Sequence, residues 1–374
     1  MQLAGLIRGE IERAGGALPF SRYMELCLYA PGLGYYSAGR QKFGPGGDFV
    51  TAPELTPLFG RCLARSCASV LETLGGGDLL EFGAGSGRLA VDLLAELAAM
   101  DCLPGQYFIL ERSASLRQRQ QALLQAHLPQ LLDRVVWLDR LPNAGFRGVM
   151  LANEVLDAMA VERFCWNGTD VEWFEVTAAG DGFEWQTRVA SAGDGQARIA
   201  ALATECNMAA GFVSEANLAL WPWMQAVADV LESGLLLLID YGYPRHEYYH
   251  PQRSAGTLMC HYQHRAHDNP LLWPGLQDIT AHVDFTAVAE AAVSAGLSVS
   301  AYTTQAWFLL DCGLEGLLQQ AGPLESVEYM RQAQHAKTLL LPGEMGERFK
   351  CIGLTRGLEQ AIPGFRMQDM RSRL

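Results

Sequence analysis

A glycine-rich turn between a strand and a helix constrains the fold of this chain most. Residues 81–87 read Glu-Phe-Gly-Ala-Gly-Ser-Gly, between an apolar strand predicted over 78–82 and a helix predicted over 88–100. Glycine adopts backbone angles that other residues avoid, and it lets a ligand approach the main chain closely. The pattern is typical of a nucleotide-type cofactor turn in an α/β fold.

The rest of the chain alternates between strand and helix patterns, which indicates a mostly parallel sheet. Helices are predicted over 55–74, 113–127 and 285–295; the first would be capped by Thr51, with Glu54 at capping-box spacing. Further strands are predicted over 106–110, 135–138, 148–152, 235–239, 297–303 and 349–354. We therefore expect an α/β class with a Rossmann-like core and a seven-stranded, mostly parallel sheet.

The domain organisation follows from where this alternation stops. Of the 374 residues 49% are hydrophobic and 18% charged, which supports a substantial core. A helix is predicted over 1–14, and residues 18–60 are rich in Gly, Pro and aromatic residues, as in ordered turns. Residues 160–190 alternate like a small antiparallel sheet, before a helix predicted over 217–232. We expect an N-terminal extension over 1–74, a core over 75–159 and 233–374, and an inserted β-rich and helical substrate region over 160–232.

Acidic residues end the first strands of the predicted sheet. The third glycine of Gly83, Gly85 and Gly87 comes one residue earlier than in a dinucleotide fingerprint. This spacing favours S-adenosylmethionine (SAM), with NAD as the main competitor. Glu81 would hold the ammonium of its methionine moiety, and Glu111 would accept hydrogen bonds from the ribose hydroxyls. Asp139 is placed to meet the adenine amino group.

Asn153 and Glu154 follow the fourth strand, where ligands bind in an open α/β sheet. We expect both side chains to face the transferable methyl group, with Asp157 as a second carboxylate. The structural alternative makes Asn153 the cap of a helix that starts at Val155, and Asp157 a helix-start residue.

Composition narrows the class of protein. The formal net charge is −13 and no basic stripe is present, so we expect no nucleic-acid partner. No apolar run approaches the ~18 residues of a membrane span, and the nine cysteines form no CxxC pair, so we expect reduced thiols, no membrane partner and a cytoplasmic location. Six of the eight histidines lie between His246 and His282, yet without metal-ligand spacing, so no metal is expected. His282 is either a pocket residue or a partner in ordinary loop hydrogen bonds, and Asp284 is expected to start a helix.

Several stretches together resemble the MidA-like family of class I SAM-dependent methyltransferases, which includes a mitochondrial complex I assembly factor. The matching stretches are 47–55 with 59–60, 81–87, 152–158, 240–242, 250–253 with 256–258, and 277–285. They follow one another in order over most of the chain, so the resemblance is specific.

The resemblance implies a methyltransferase with a protein substrate, since the mitochondrial relative is a protein arginine methyltransferase. Glu154, Asn153, Asp157 and His282 are then the candidate catalytic residues. Residues 44–54 would form a lid in which Asp48 and Thr51 contact the cofactor; a static loop is the alternative. A small-molecule methyltransferase and a catalytically silent SAM-binding scaffold stay open as other functions. Because the first 15 residues lack transit-peptide character, the resemblance points to a bacterial member.

Overall fold

The structure is a computed structural model, and it describes residues 2–38, 51–191, 193, 195–263 and 265–374. The described residues fall into two compact units. The large unit comprises those within 41–155, 223–242 and 287–374, and the small unit those within 1–40, 156–222 and 243–286. Each predicted domain contributes residues to both units.

The strands, numbered in chain order, are β1 (Leu18–Pro19), β2 (Asp78–Phe82), β3 (Tyr107–Leu110), β4 (Val135–Leu138), β5 (Phe146–Asn153), β6 (Glu162–Trp166), β7 (Val171–Ala179), β8 (Gly182–Val189), β9 (Phe212–Ala216), β10 (Leu231–Tyr243), β11 (Met259–Tyr262), β12 (Arg265–His267), β13 (Asp278–Thr280), β14 (Val283–Asp284), β15 (Ser298–Thr304) and β16 (Phe349–Arg356).

The α-helices are α1 (Gln2–Arg13), α2 (Phe20–Tyr29), α3 (Ala52–Leu55), α4 (Pro57–Leu74), α5 (Arg88–Ala99), α6 (Ala114–His127), α7 (Gln196–Glu205), α8 (Leu220–Val230), α9 (Arg245–Tyr248), α10 (Phe285–Ser294), α11 (Gln305–Asp311), α12 (Leu314–Gln319) and α13 (Val327–Leu340). Short 3₁₀ turns are present at Pro129–Arg134, Pro251–Arg253 and Arg371–Arg373.

The large unit is built on a sheet in which seven strands follow the order β15-β16-β10-β5-β2-β3-β4; the short β14 also pairs with β10, so the sheet has eight strands. The pairs β10–β5, β5–β2, β2–β3 and β3–β4 are parallel, whereas β16 runs antiparallel to both of its neighbours. The run Leu235–Leu238 is wholly buried, as expected for a parallel strand covered on both faces. The prediction of a mostly parallel sheet is confirmed, and the short β14, which the sequence did not predict, raises the strand count from the expected seven to eight.

The helix predicted over 55–74 begins later than expected. Proline at 57 keeps Thr56 extended (φ −161°), so a short helix ends at Leu55 and α4 starts at Pro57. Oγ1 of Thr56 accepts the amide hydrogen of Leu58 at 3.2 Å, while Thr51 makes no capping hydrogen bond through its side chain. The capping role predicted for Thr51 is therefore wrong, and Thr56 has it instead.

The small unit contains the predicted antiparallel sheet, in the order β1-β7-β6-β9 with β8 also paired to β7. Its core groups Phe164, Trp173, Ile199 and Tyr248. A second sheet has the order β12-β11-β13. The sequence reading missed α7 and β9. It also extended the helix over 217–232, which in the structure ends at Val230 because β10 begins at the next residue.

All nine cysteines are free thiols. Within the described ranges, we find no helix with the length and apolar character needed to cross a membrane.

Candidate active site

Successive strands of the large unit lie on opposite sides of β2. This strand pairs with β3, which follows it in the chain, on one side and with β5 on the other. In register, Phe82 at the carboxyl end of β2 lies opposite Leu110 and Ala152. The glycine turn, Glu111 and Asn153 therefore leave the sheet at one edge, the place where open α/β sheets bind ligands.

The glycine turn has a backbone that only glycine adopts easily. Gly83, Gly85 and Gly87 have φ angles of 62°, 52° and 89°, and the amide of Gly83 donates to the carbonyl of Leu110 at 3.0 Å. A Cβ on Gly87 would lie 3.1–3.3 Å from Cα, Cβ and Cγ of Gln120. The turn is thus held against α6, and its main chain is bare of side chains at three positions.

Glu81 is a buried carboxylate beside the turn. The phenol of Tyr107 donates to its Oε2 at 2.7 Å. Burial raises the pKa of Glu81 to about 7; the Tyr107 hydrogen bond opposes that rise and nearby Glu111 adds to it. No Lys or Arg in the described part of the chain pairs with Glu81. The site therefore suits a cationic ligand group that would stabilise the ionised form.

Glu111 directly follows β3 and is held at both carboxylate oxygens. Oε1 accepts the amide hydrogen of Ser113 at 2.8 Å, and Oε2 accepts from Nε2 of Gln120 at 3.1 Å. Burial raises the pKa of Glu111, and these hydrogen bonds oppose the rise. Asp139 lies one residue beyond β4 and is exposed.

Asn153 ends β5, the strand next to the glycine turn, and Glu154 follows it. Nδ2 of Asn153 donates to Oε1 of Glu154 at 3.2 Å, whereas Oδ1 of Asn153 is buried without a partner among the described residues. The amide of Glu154 donates to the carbonyl of Ile239 at 2.9 Å, and its φ is 54°. Residues 154–160 form turns and bends, so the alternatives of an Asn153-capped helix and of a helix start at Asp157 are wrong.

The segment before α4 also reaches the glycine turn. Glu54 on α3 accepts a hydrogen bond from the hydroxyl of Ser86, whose Oγ also accepts the amide hydrogen of Arg88 at 3.2 Å. Thr51 precedes α3 and is buried. Asp48 lies outside the described residues, as does most of the lid predicted over 44–54.

Asp157 and His282 belong to the small unit, which brings them near each other. The carbonyl of Asp157 accepts the amide hydrogen of Ala281 at 3.1 Å, and Asp157 is buried. His282 stacks on Tyr243 with ring centroids 5.4 Å apart, and its amide donates to Oγ1 of Thr257 at 3.2 Å. Asp284 caps α10 by accepting from the amide of Thr286, as predicted.

Three residues of the site were missed by sequence reasoning: Tyr107, Gln120 and Trp137. Tyr107 opens β3, and its side chain bonds across the sheet to the neighbouring strand. Gln120 is buried in α6, seven residues after its N-cap Ser113. In the sequence, Gln120 could have been found only as a polar residue on the apolar face of that helix, in line with Leu116 and Leu124.

The residues at this edge fit SAM. Glu81 offers a buried carboxyl group, Asn153 a buried oxygen that has no partner among the described residues, and the turn an accessible main chain. Within the described ranges, no cluster of three or more His, Cys, Asp or Glu side chains is arranged to hold a metal ion.

Comparisons with known proteins agree with this fit. The family described as "Putative S-adenosyl-L-methionine-dependent methyltransferase" matches residues 62–303. A crystal structure of a Burkholderia thailandensis protein bound to S-adenosyl-homocysteine is 44% identical, with a TM-score of 0.95, over 100% of this chain and 96% of that one. A second crystal structure from that organism is 43% identical over the same shares, with a TM-score of 0.92.

More distant relatives carry names that specify a substrate. The Drosophila melanogaster "Protein arginine methyltransferase NDUFAF7 homolog, mitochondrial" is 29% identical over 95% of this chain and 85% of its own length. The Homo sapiens protein arginine methyltransferase NDUFAF7 is 26% identical over 95% of this chain and 83% of its own length. These names describe the relatives.

Proposed function

This chain belongs to the family of SAM-dependent methyltransferases, and from that premise we propose that it methylates an arginine side chain of a protein. The observation that carries the proposal is the placement of Glu154. Its carboxylate is held by Asn153 at the carboxyl end of β5, next to the glycine turn. A methyl acceptor bound beside Glu154 would contact its carboxylate.

The cofactor residues have the roles that their geometry favours. When bound, SAM supplies a methyl group on a sulfonium, which carries its own leaving group. Glu81 would pair with a cationic group of the cofactor, and Glu111 would accept from the ribose hydroxyls. The main chain at Gly83, Gly85 and Gly87 would lie against it. Oδ1 of Asn153, which has no partner within the described part of the chain, would accept from one more donor.

Glu154 suits a guanidinium acceptor in particular. A guanidinium stays protonated in water, since its pKa exceeds ~12, and a carboxylate binds it by paired hydrogen bonds. Transfer replaces one N–H of the acceptor by N–CH₃, so one proton must leave the nitrogen. Glu154 would orient the guanidinium and then receive that proton. The net charge of −13 also favours a cationic partner.

Asp157 and His282, both in the small unit, are the other two residues for which the family resemblance predicts a catalytic role. Both lie on turns or short connections near Ala281 rather than inside regular elements. The names of the relatives support a protein substrate, and the buried carboxylate of Asp157 agrees with a cationic one.

The proposal is tested by methyl transfer from tritiated SAM to a protein extract of the source cells. Labelled protein is hydrolysed with acid, and its amino acids are separated. We expect label in methylated arginine. Glu154→Gln should lower the transfer rate by about 10²-fold or more and leave the Kd for S-adenosylhomocysteine within about threefold, because glutamine keeps the size but accepts no proton.

Glu359→Gln is the matched control, since Glu359 is an exposed glutamate of the same unit. Label confined to small molecules would overturn the protein substrate. Binding of the cofactor product without any label would favour a silent scaffold, and transfer by Glu154→Gln near the wild-type rate would overturn the role of Glu154.

A further inference from the structure

Gln120 is a fully buried amide whose hydrogen-bonding groups are all used. Its Oε1 accepts from Nε1 of Trp137 at 2.9 Å. Its Nε2 donates to the carbonyl of Gly85 at 3.0 Å and to Oε2 of Glu111 at 3.1 Å. An amide has two N–H donors, and both have a partner here. Gln120 therefore joins β4, the glycine turn and the acidic end of β3 through one side chain.

Trp137 fixes which end of the amide faces Glu111. An indole N–H can only donate, so the amide oxygen must point towards Trp137 and the NH₂ group towards Glu111 and Gly85. A flipped amide would set its oxygen against two acceptors and its nitrogen against a donor. The orientation is thus determined by chemistry, and the NH₂ group always faces the carboxylate.

The carboxylate of Glu111 is consequently held from two directions. The amide of Ser113 fixes one oxygen, and Gln120 fixes the other. Nε of Arg117 holds the main-chain carbonyl of Glu111 at 2.6 Å. The backbone of Gln120 also packs against Gly87, close enough that a Cβ there would crowd it. Gln120 therefore contacts both the carboxylate of Glu111 and the glycine turn, and it fixes the position of one relative to the other.

We propose that Gln120 is a positioning residue, which orients Glu111 towards the ribose hydroxyls of SAM and holds the Gly85 peptide beside them. The inference rests on the use of SAM and on the ribose role proposed for Glu111, and it is independent of the methyl acceptor. Its test uses binding alone, so its failure is distinguishable from the failure of the arginine proposal.

The experiment compares the Kd values of S-adenosylhomocysteine and its 2′-deoxy analogue by titration calorimetry. In the wild-type protein we expect a preference for the hydroxylated ligand of about tenfold or more, from a hydrogen bond to a charged acceptor. Gln120→Met keeps the side-chain volume and removes the hydrogen bonds. We expect it to reduce the preference to that of Glu111→Gln, because the Kd of the 2′-deoxy ligand, which keeps only the 3′-hydroxyl, should rise by a smaller factor than that of S-adenosylhomocysteine.

Gln121→Met is the matched control, because Gln121 is the exposed neighbour on α6; it should keep the wild-type preference. Equal weakening of both ligands by Gln120→Met would show a merely structural role and overturn the proposal. An unchanged preference in that variant, or no preference in the wild type, would overturn it as well.

Trp137→Phe provides a second route if Gln120→Met does not fold. It removes the donor to the amide oxygen, so only the two acceptors, Gly85 and Glu111, still hold the NH₂ group in place. We expect an intermediate preference between wild type and Glu111→Gln. A wild-type preference in Trp137→Phe would then overturn the proposal.

Discussion

Tyr107 on β3 donates its phenolic hydrogen to Glu81 on the neighbouring strand β2, 2.7 Å away and out of contact with solvent. The bond favours the ionised carboxylate, whereas burial raises the pKa of Glu81 to about 7. In the folded protein the carboxyl group therefore keeps its proton to a higher pH than in the unfolded chain. Its contribution to stability is present below pH ~4.5 and is lost as the pH rises through ~7.

A cationic ligand group beside Glu81 favours the ionised form, so binding of S-adenosylhomocysteine should tighten as the pH rises through about 7. Tyr107→Phe removes the hydrogen bond that lowers the pKa, and it should shift this transition up by about one pH unit. Calorimetric titration between pH 6 and 9 measures the shift. Tyr329→Phe, on α13, should leave it in place; a transition unmoved in Tyr107→Phe would contradict the role of this bond.

Replacement of Gly87 by alanine should weaken cofactor binding as well as lower the stability of the fold. Alanine at positive φ costs ~1–2 kcal/mol, and the new Cβ would also press against Gln120. Gly75→Ala is the matched control, since Gly75 also has a positive φ but meets no atom within 4 Å. Both variants should lower the melting temperature, and only Gly87→Ala should raise the Kd for S-adenosylhomocysteine, by about tenfold or more. Equal Kd values in the two variants would contradict the crowding argument.

The start of α4 should depend on Thr56 and not on Thr51. Thr56→Ala removes the acceptor of the Leu58 amide and the hydrogen bond to Oε1 of Gln332, both buried. We expect a loss of ~1–3 kcal/mol in the free energy of unfolding. Thr51→Ala removes no capping hydrogen bond and should cost less than ~0.5 kcal/mol. Urea denaturation measures both, and a larger loss in Thr51→Ala would reverse the assignment.

Much of the large unit could be predicted because its strands are short apolar runs between clear breaks. The strands predicted over 78–82 and 135–138 have the observed bounds, since each is a short apolar run flanked by polar or glycine residues. The glycines of the turn predicted its backbone angles, which other residues avoid. Thr51 failed because the capping-box spacing did not take account of Pro57, which forces its predecessor Thr56 out of the helical region.

Other parts of the site depend on packing that no local pattern carries. Gln120 is a polar residue in a helix, and its role depends on hydrogen bonds to Trp137 on β4 and to Glu111 directly after β3. The three helices over 305–340 were not predicted, although Gly313 and Gly322-Pro323 break the chain before two of them. The left-handed backbone of Glu154 was equally invisible, because the residue type gives no sign of it.

That backbone sets stability against the role proposed for Glu154 at one position. A glutamate held at φ 54° costs ~1 kcal/mol or more relative to glycine, which adopts this conformation freely. Selection for thermal tolerance alone would therefore favour Glu154→Gly and discard the carboxylate. Laboratory evolution that rewards heat resistance should drift towards glycine there, whereas selection for methyl transfer should keep glutamate if it has the proposed role.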